Sequence, residues 1–395
     1  MTLTKEEIQN RIQTLWHHMN QKAPNWDNLL IFGKMNQYYY TGTMQDGVFA
    51  LRRDGSYRYF IRRSFQRGNL EAKITECTPM TNYRSLYDFL GTDLGNLYLD
   101  KDIVNLSILD RLKKYFPIEV INSADRILSE VRSVKSPYEL EKIKISGKKH
   151  QQILQSVVPG LLKEGISEVT LFSSLYEKML EAGYHGLARF SMHQVEMALG
   201  QFGFGTNAIY PARFDGPGGM KGMSPVVPMV GDPDRRLQKG DLVFIDIAFG
   251  VDGYHTDCTQ IYQFGGAIDS ELLKTHNRCR EIEKQAADLL RPGAIPSEIY
   301  QQTVGTLPEE FLENFMGIGN ERVRFLGHGI GLEIDEYPVI AKGFQAPLEE
   351  NMVIALEPKK SIPGAGIVGV EDSYIVTPSG GVCVTGGERE IFLIS

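Results

Sequence analysis

Two carboxylates set in otherwise apolar strands are the first chemistry this sequence offers. Asp241-Leu-Val-Phe-Ile-Asp246-Ile-Ala-Phe-Gly250-Val-Asp-Gly253-Tyr-His-Thr-Asp257 reads as a strand, a loop over Gly250 to Gly253, and a returning strand. If the loop closes symmetrically, Phe249 faces Tyr254 and Asp246 faces Asp257, with opposed Cβ atoms about 4.5–5.5 Å apart. Aspartate is a poor strand residue among Val, Phe and Ile, and two carboxylates so placed repel each other. A bound divalent cation turns that liability into a site.

The device is repeated. Glu357 follows the apolar run Met352-Val-Ile-Ala-Leu356, and Glu371 follows Ile367-Val-Gly-Val370, the two acids equidistant from Gly364. A hairpin brings them face to face, although Pro358 and the glycines leave room for bulges. Between the two hairpins lies Gly327-His328-Gly329-Ile330-Gly331, a histidine flanked by residues that let backbone approach closely. Four carboxylates and one imidazole suit hard-to-borderline cations. Two ions about 3.5–4 Å apart, sharing bridging carboxylates and activating a water, form a recurring arrangement for hydrolysis. Any one of the five residues alone reads as an edge-strand carboxylate or a hydrogen-bonded core histidine. Two hairpin-symmetric pairs plus a glycine-flanked histidine are not explained that way.

The elements that must position these residues fall into two groups. Thr4 and Glu7 form a capping box ahead of a helix with the apolar face Ile8, Ile12, Leu15 and Met19. Short β-like runs follow at Leu29–Phe32, Tyr38–Tyr40, Val48–Leu51 and Tyr57–Ile61, with Asp54-Gly55 as a tight turn between the last two. Helical stretches around Leu106–Tyr115 and Ala124–Val131 complete an α/β N-terminal domain. Ser136-Pro137-Tyr138-Glu139 marks the boundary, with Ser at the N-cap, Pro at the first helical position and Glu two residues later. The expected domains are 1–132 and 133–395. In the second, helices are expected to about Val157, over Ser167–Ala182, over Ser270–Leu290 and near Ser297–Phe315, around a glycine-rich, strand-like remainder.

Composition narrows the class. At 395 residues, 42% hydrophobic and 23% charged, the chain is long enough for two globular domains with cores of their own. A net charge of -7 without basic blocks gives no electrostatic case for nucleic acid or an anionic membrane surface. The four cysteines, Cys77, Cys258, Cys279 and Cys383, show no C-x-x-C spacing, which fits a reducing compartment and argues against a thiolate zinc site. No apolar leader and no bilayer-length run is present, so a cytoplasmic enzyme is the expectation.

These residues, in this order, resemble the pita-bread metallopeptidases: methionine aminopeptidase, Xaa-Pro aminopeptidase, prolidase and their relative creatinase. The resemblance lies in Gly240-Asp241-Leu-Val-Phe-Ile-Asp246, Gly253-Tyr-His-Thr-Asp257, Gly327-His328-Gly-Ile-Gly-Leu-Glu333, Ala355-Leu-Glu357-Pro358 and Val370-Glu371-Asp372. Tyr40-Thr-Gly42 and Arg132-Ser-Val-Lys-Ser-Pro137 extend it to the Xaa-Pro aminopeptidase and prolidase branch, with a creatinase-type N-terminal domain. It implies an α/β first domain and an α+β pita-bread catalytic domain whose pseudo-symmetric halves each supply one hairpin. It implies two divalent ions, manganese first, with cobalt, iron or zinc as alternatives. Asp246 would chelate one ion, Asp257 and Glu371 would bridge both, and His328 and Glu357 would complete the second. Glu357 would also shuttle protons, a metal-bridging hydroxide would be the nucleophile, and Thr259 would support the ligands. A homodimer is likewise implied.

Departures from that pattern bear on the substrate. Peptidases of this branch carry a histidine after the proline of a Gly-x-Asn-x-x-x-Pro-His stretch, where this chain has Ala212 after Pro211. They carry another where this chain has Asp335, and many carry Arg where it has Gly369. Loss of such donors typically costs a factor of about a hundred in rate. Tyr210, Arg213 and His255 are candidates to bind substrate in their stead, with an Arg213–Asp215 pair or an ordinary hydrogen-bonded His255 as the alternatives. His193 is open to the same two readings. Asp335 and Tyr337, close behind His328, are candidate catalytic groups, and Asp335 favours an amine-bearing substrate. The expected function is metal-dependent hydrolysis of a small peptide, as in an Xaa-Pro aminopeptidase or prolidase-like dipeptidase. The rivals are hydrolytic or lyase chemistry on another small molecule, and a binding protein that has lost turnover.

Overall fold

The computed structural model describes all residues except 191–194, 196, 213, 215 and 388. The chain forms two compact units, Met1–Arg132 and Ser133–Ser395. Among the described residues no helix is long and apolar enough to cross a membrane.

The first unit is an α/β domain. Thr4 caps the helix Lys5–Lys22 by accepting from the Glu7 amide, and Ile8, Ile12, Leu15 and Met19 are its buried stripe. Strands β1 (Asn28–Ile31), β2 (Gly47–Arg52), β3 (Tyr57–Ile61), β4 (Cys77–Pro79), β5 (Leu97–Leu99) and β6 (Ile121–Ser123) form one mixed sheet in the order β4-β3-β2-β1-β5-β6. The run Tyr38-Tyr39-Tyr40, expected as a strand, lies instead in the helix Lys34–Thr41. The start of that helix is fixed from a distance. Buried Asp100 accepts from the Phe32 and Gly33 amides at 3.0 and 2.6 Å and so holds the two residues that lead into it.

The second unit is α+β. Ser136 and Glu139 make the reciprocal capping box at the head of the helix Pro137–Gln152. This helix lies on the hairpin of β8 (Leu242–Val251) and β9 (Tyr254–Phe264), where Ser146 Oγ donates to the Phe249 carbonyl at 2.6 Å. With β7 (Gly200–Phe204) and the parallel edge strand Phe392–Ile394, the hairpin forms a four-stranded sheet. Its odd-numbered residues Val243, Ile245, Ile247 and Phe249 pack into a core with Leu171, Leu175 and Met179 of the helix Glu168–Glu181. The even row Leu242, Phe244, Asp246 and Ala248 faces the other way. Leu242 and Phe244 enter a second cluster with Ile367 and Val368, so Asp246 stands where that apolar row meets the cleft.

Beyond a two-residue hairpin, β10 (Gly317–Ile318) with β11 (Glu321–Arg322), a five-stranded sheet provides the other half of the unit. Its strands are β12 (Phe325–Gly329), β13 (Glu336–Ala341), β14 (Val353–Leu356), β17 (Asp372–Thr377) and β18 (Gly380–Cys383), in the order β13-β12-β14-β17-β18. The short ribbon of β15 (Lys359–Ile362) and β16 (Gly366–Gly369) continues β14 and β17 beyond the sheet. The helix Ser270–Leu289 buries Ile282 and Ala286 against Ile354, Leu356 and Val376. The stretch expected as one helix near 297–315 is broken into Pro296–Thr303 and a single turn at Glu309–Leu312. Pro308 starts the second piece, which an uninterrupted helix could not accommodate.

Candidate metal centre

The register of the first hairpin differs from a symmetric closure over Gly250 to Gly253. Asp252 and Gly253 alone make the turn, both with positive φ. Asp246 therefore pairs with Thr259, and Asp257 with Ala248. The two aspartates remain on one face as diagonal rather than opposed neighbours. Gly250 stays in the strand, paired with His255, and a Cβ there would lie 2.3 Å from the His185 ring. The second hairpin keeps one register throughout. Leu356 pairs with Asp372 and Lys359 with Gly369, so Glu357 and Glu371 fall opposite each other with no bulge between. Thr259 bridges to Glu371 and joins the two hairpins.

His328 enters from β12, paired with Ala355. A Cβ at Gly327 would lie 2.2 Å from the Ala355 carbonyl oxygen and one at Gly329 2.4 Å from that of Tyr337, so the strands on either side close onto β12 only because its flanks are glycine. His328 Nδ1 donates to the Ile334 carbonyl at 3.0 Å and lies 3.4 Å from Asp335 Oδ1. In the neutral ring this leaves the Nε2 lone pair toward Glu357 Oε1 at 3.7 Å and Glu371 Oε1 at 4.0 Å.

Asp246, Asp257, His328, Glu357 and Glu371 thus line one cleft, together with Asp335 and the apolar walls Phe190, Met197 and Phe214. Burial, followed by the neighbouring carboxylates, pushes the Asp257 and Glu371 pKa values well above the ordinary range. Glu357 is raised as well, by burial first, against the lowering influence of Lys359 and His328. For His328, burial alone would lower the pKa, but Asp335, Glu357 and Asp257 outweigh it and raise it. A cluster that cannot ionise freely by itself is one that a cation stabilises.

Donor atoms converge in two triads, Asp257–His328–Glu371 and Asp246–Glu357–Glu371, each within 4.8 Å. The first suits a divalent cation. Glu371 Oε1 is buried with no hydrogen-bond partner among the described residues, and the His328 lone pair faces it. The second triad does not. The fully buried Lys359 places Nζ 2.9 Å from Asp246 Oδ2, 2.9 Å from Glu357 Oε2 and 2.6 Å from Glu371 Oε2. Thr259 Oγ1 also donates to Glu371 Oε2 at 3.0 Å, so one oxygen of this carboxylate is satisfied by the chain while the other is left open.

The remaining sequence candidates divide. Asp335 stands at the cleft. Tyr210 does not line it and is 54% exposed, and Tyr337 packs against the cluster of Leu326, Ile340 and Ile354. His255 also lies away from the cleft. Fully buried, it contacts the carbonyl oxygens of Gly331 and Leu187 and the His185 ring, and burial lowers its pKa to about 4. It is the ordinary hydrogen-bonded core histidine. Arg213, Asp215 and His193 fall outside the described residues. Two residues of the site carry no mark in the sequence. Lys359 looks like any strand lysine, and Gln201, paired with Asp246, lines the cleft with its buried amide lacking any partner among the described residues.

Comparison with known proteins agrees with this geometry. The profile of metallopeptidase family M24 matches residues 141–378, and that of the creatinase/prolidase N-terminal domain matches residues 11–134. The chain is 24% identical over 387 residues to the Xaa-Pro dipeptidase of Pyrococcus furiosus, covering 97% of this chain and all of that one. A putative dipeptidase of Bacillus subtilis is 25% identical over 298 residues, 75% of this chain and 73% of its own. The solved prolidase of Pyrococcus horikoshii superposes with a TM-score of 0.78 at 20% identity, over 97% of this chain and all of that one. The Xaa-Pro dipeptidase of Bacillus anthracis gives 0.79 at 19% identity, over 98% and 99%. A creatinase-type α/β domain followed by a pita-bread α+β domain, each matched by its profile, places the chain in metallopeptidase family M24, as a metallopeptidase-like hydrolase.

Proposed function

We propose that this protein hydrolyses the amide bond next to the free N-terminus of a small peptide, as an Xaa-Pro aminopeptidase or prolidase-like dipeptidase. The observation that carries the reading is the convergence of Asp246, Asp257, His328, Glu357 and Glu371 on one cleft. The Xaa-Pro dipeptidase of Pyrococcus furiosus, aligned end to end, supports the substrate class.

Asp257, His328 and Glu371 would hold a divalent ion, manganese first in view of the oxygen-rich donors, which would supply Lewis acidity and lower the pKa of the attacking water. The chain does the rest. Glu357, buried and with a raised pKa, takes up the proton that the attacking water releases and passes it to the leaving nitrogen. Asp335 offers a carboxylate to the substrate's terminal ammonium. Phe190, Met197 and Phe214 exclude water and fit an apolar side chain. The Gln201 amide, which has no partner among the described residues, hydrogen-bonds the peptide. Gln201→Leu is expected to raise KM about tenfold with a smaller change in kcat, the value of roughly one hydrogen bond. An unchanged KM removes Gln201 from the binding surface.

The reading is tested by turnover of Xaa-Pro dipeptides, longer peptides with proline second, and non-proline controls, each with manganese, cobalt, iron or zinc. Metal-dependent cleavage before proline is expected. Silence across the panel from metal-loaded protein would transfer the site to a non-peptide substrate.

A further inference from the structure

One half of the centre already contains a cation, and it belongs to the chain. Lys359 lies two residues after Glu357, on the same face of the same extended segment, so its side chain follows that of the ligand inward. Its partner across the ribbon is Gly369, with φ +136. A Cβ at Gly369 would lie 2.4 Å from the Pro358 oxygen, 2.6 Å from the Lys359 Cα and 3.2 Å from the Lys359 Cβ. Only glycine opposite allows the lysine this path. The neighbouring Lys360 turns the other way and donates to the Phe311 carbonyl.

The ammonium has three N–H donors and spends all three on three carboxylates, at 2.6–2.9 Å. A divalent ion bound to the same three oxygens would stand about 2.0–2.2 Å from each. It would therefore need the space that Nζ fills. Charge leads to the same result. Four carboxylates and one ammonium leave three negative charges, which one divalent ion reduces to one. A second divalent ion beside the ammonium would make the cluster positive and set like charges in contact.

We propose that the Lys359 ammonium permanently takes one of the two cation positions, and that the centre binds a single divalent ion in the Asp257–His328–Glu371 half. The proposal rests on the reading of the cluster as a metal centre, but not on the identity of the substrate. It departs from the two-ion arrangement that the sequence resemblance implies. Lys359 is thereby a positioning residue. It fixes Asp246, Glu357 and one oxygen of Glu371, and turns the other Glu371 oxygen toward the ion.

Ion counting tests this without reference to turnover. Manganese-loaded wild-type protein is expected to retain one ion per chain by elemental analysis. Its electron paramagnetic resonance spectrum should be that of isolated Mn(II). Lys359→Ala, which removes the ammonium and opens the second triad, is expected to take up a second ion and give the spectrum of an exchange-coupled pair. Wild-type protein that retains two ions, or none, overturns the proposal, as does a folded Lys359→Ala variant that still stops at one. A protein that holds one ion yet cleaves no Xaa-Pro peptide keeps this inference and loses the peptidase reading. One that holds two and cleaves does the reverse.

Discussion

Glu371→Gln is expected to lower kcat/KM by at least about a hundredfold and to leave the purified protein with little bound metal. Groups one step removed from a metal already cost ten- to a hundredfold when lost, and Glu371 stands at the point both donor triads share. Its Oε2 accepts from Lys359 and Thr259, while Oε1 faces His328 without a hydrogen-bond partner among the described residues. Glutamine preserves the volume and can still accept from Lys359 through its carbonyl. The substitution then turns an N–H₂ toward the ion, which repels it. Fold and metal loss are therefore separable: an unchanged circular dichroism spectrum with lost metal is the expected combination. Elemental analysis and kcat/KM against an Xaa-Pro dipeptide would decide. A folded Glu371→Gln variant with full metal content and full rate would show that the centre lies elsewhere.

The difference between what the sequence displays and what it conceals follows from how local each signal is. The pairing of Glu357 with Glu371 is readable because Pro363-Gly364 sits midway between two apolar runs and the strands keep one register. The Asp246–Asp257 hairpin misleads by two residues. Gly250 resembles a turn glycine, and its reason for being glycine is the His185 ring, far away in sequence. Tyr38–Tyr40 has the composition of a strand, but the residues that lead into its helix are held by Asp100, remote in sequence. Lys359 is the extreme case. Composition cannot distinguish it from Lys360, and only the register against Gly369 shows that one goes inward and the other outward. The missing cation at Gly369, a departure from the prolidase pattern, and the unexpected one at Lys359 are two ends of one rung of the ribbon.

Arg389 supplies the largest expected effect on stability. It is buried, with Nη2 2.8 Å and Nε 3.1 Å from Asp372 Oδ1, and Asp372 is itself fully buried. Thr385 Oγ1 adds a 2.5 Å hydrogen bond to the same oxygen, and Arg389 Nη1 reaches Gln260 Oε1 at 3.3 Å. Removing the guanidinium in Arg389→Met strands a carboxylate in the interior beside Glu283, whose own pKa burial already raises. Breaking a buried pair from one side typically costs about 3–5 kcal/mol. For a unit of this size that lowers the transition midpoint by on the order of 10 °C. The penalty comes from the unpaired charge rather than from the lost contact, so Arg389→Met combined with Asp372→Asn should recover much of it. Thermal unfolding of the two single variants and the double variant closes the cycle. If the double variant is as unstable as the sum of the singles, the pair is not coupled and the argument fails. The same ion pair also bears on the metal centre, because Asp372 pairs with Leu356 and holds the backbone from which Glu371 reaches the cleft. Arg389→Met is therefore expected to weaken metal retention as well, and the double variant to restore it in step with the midpoint.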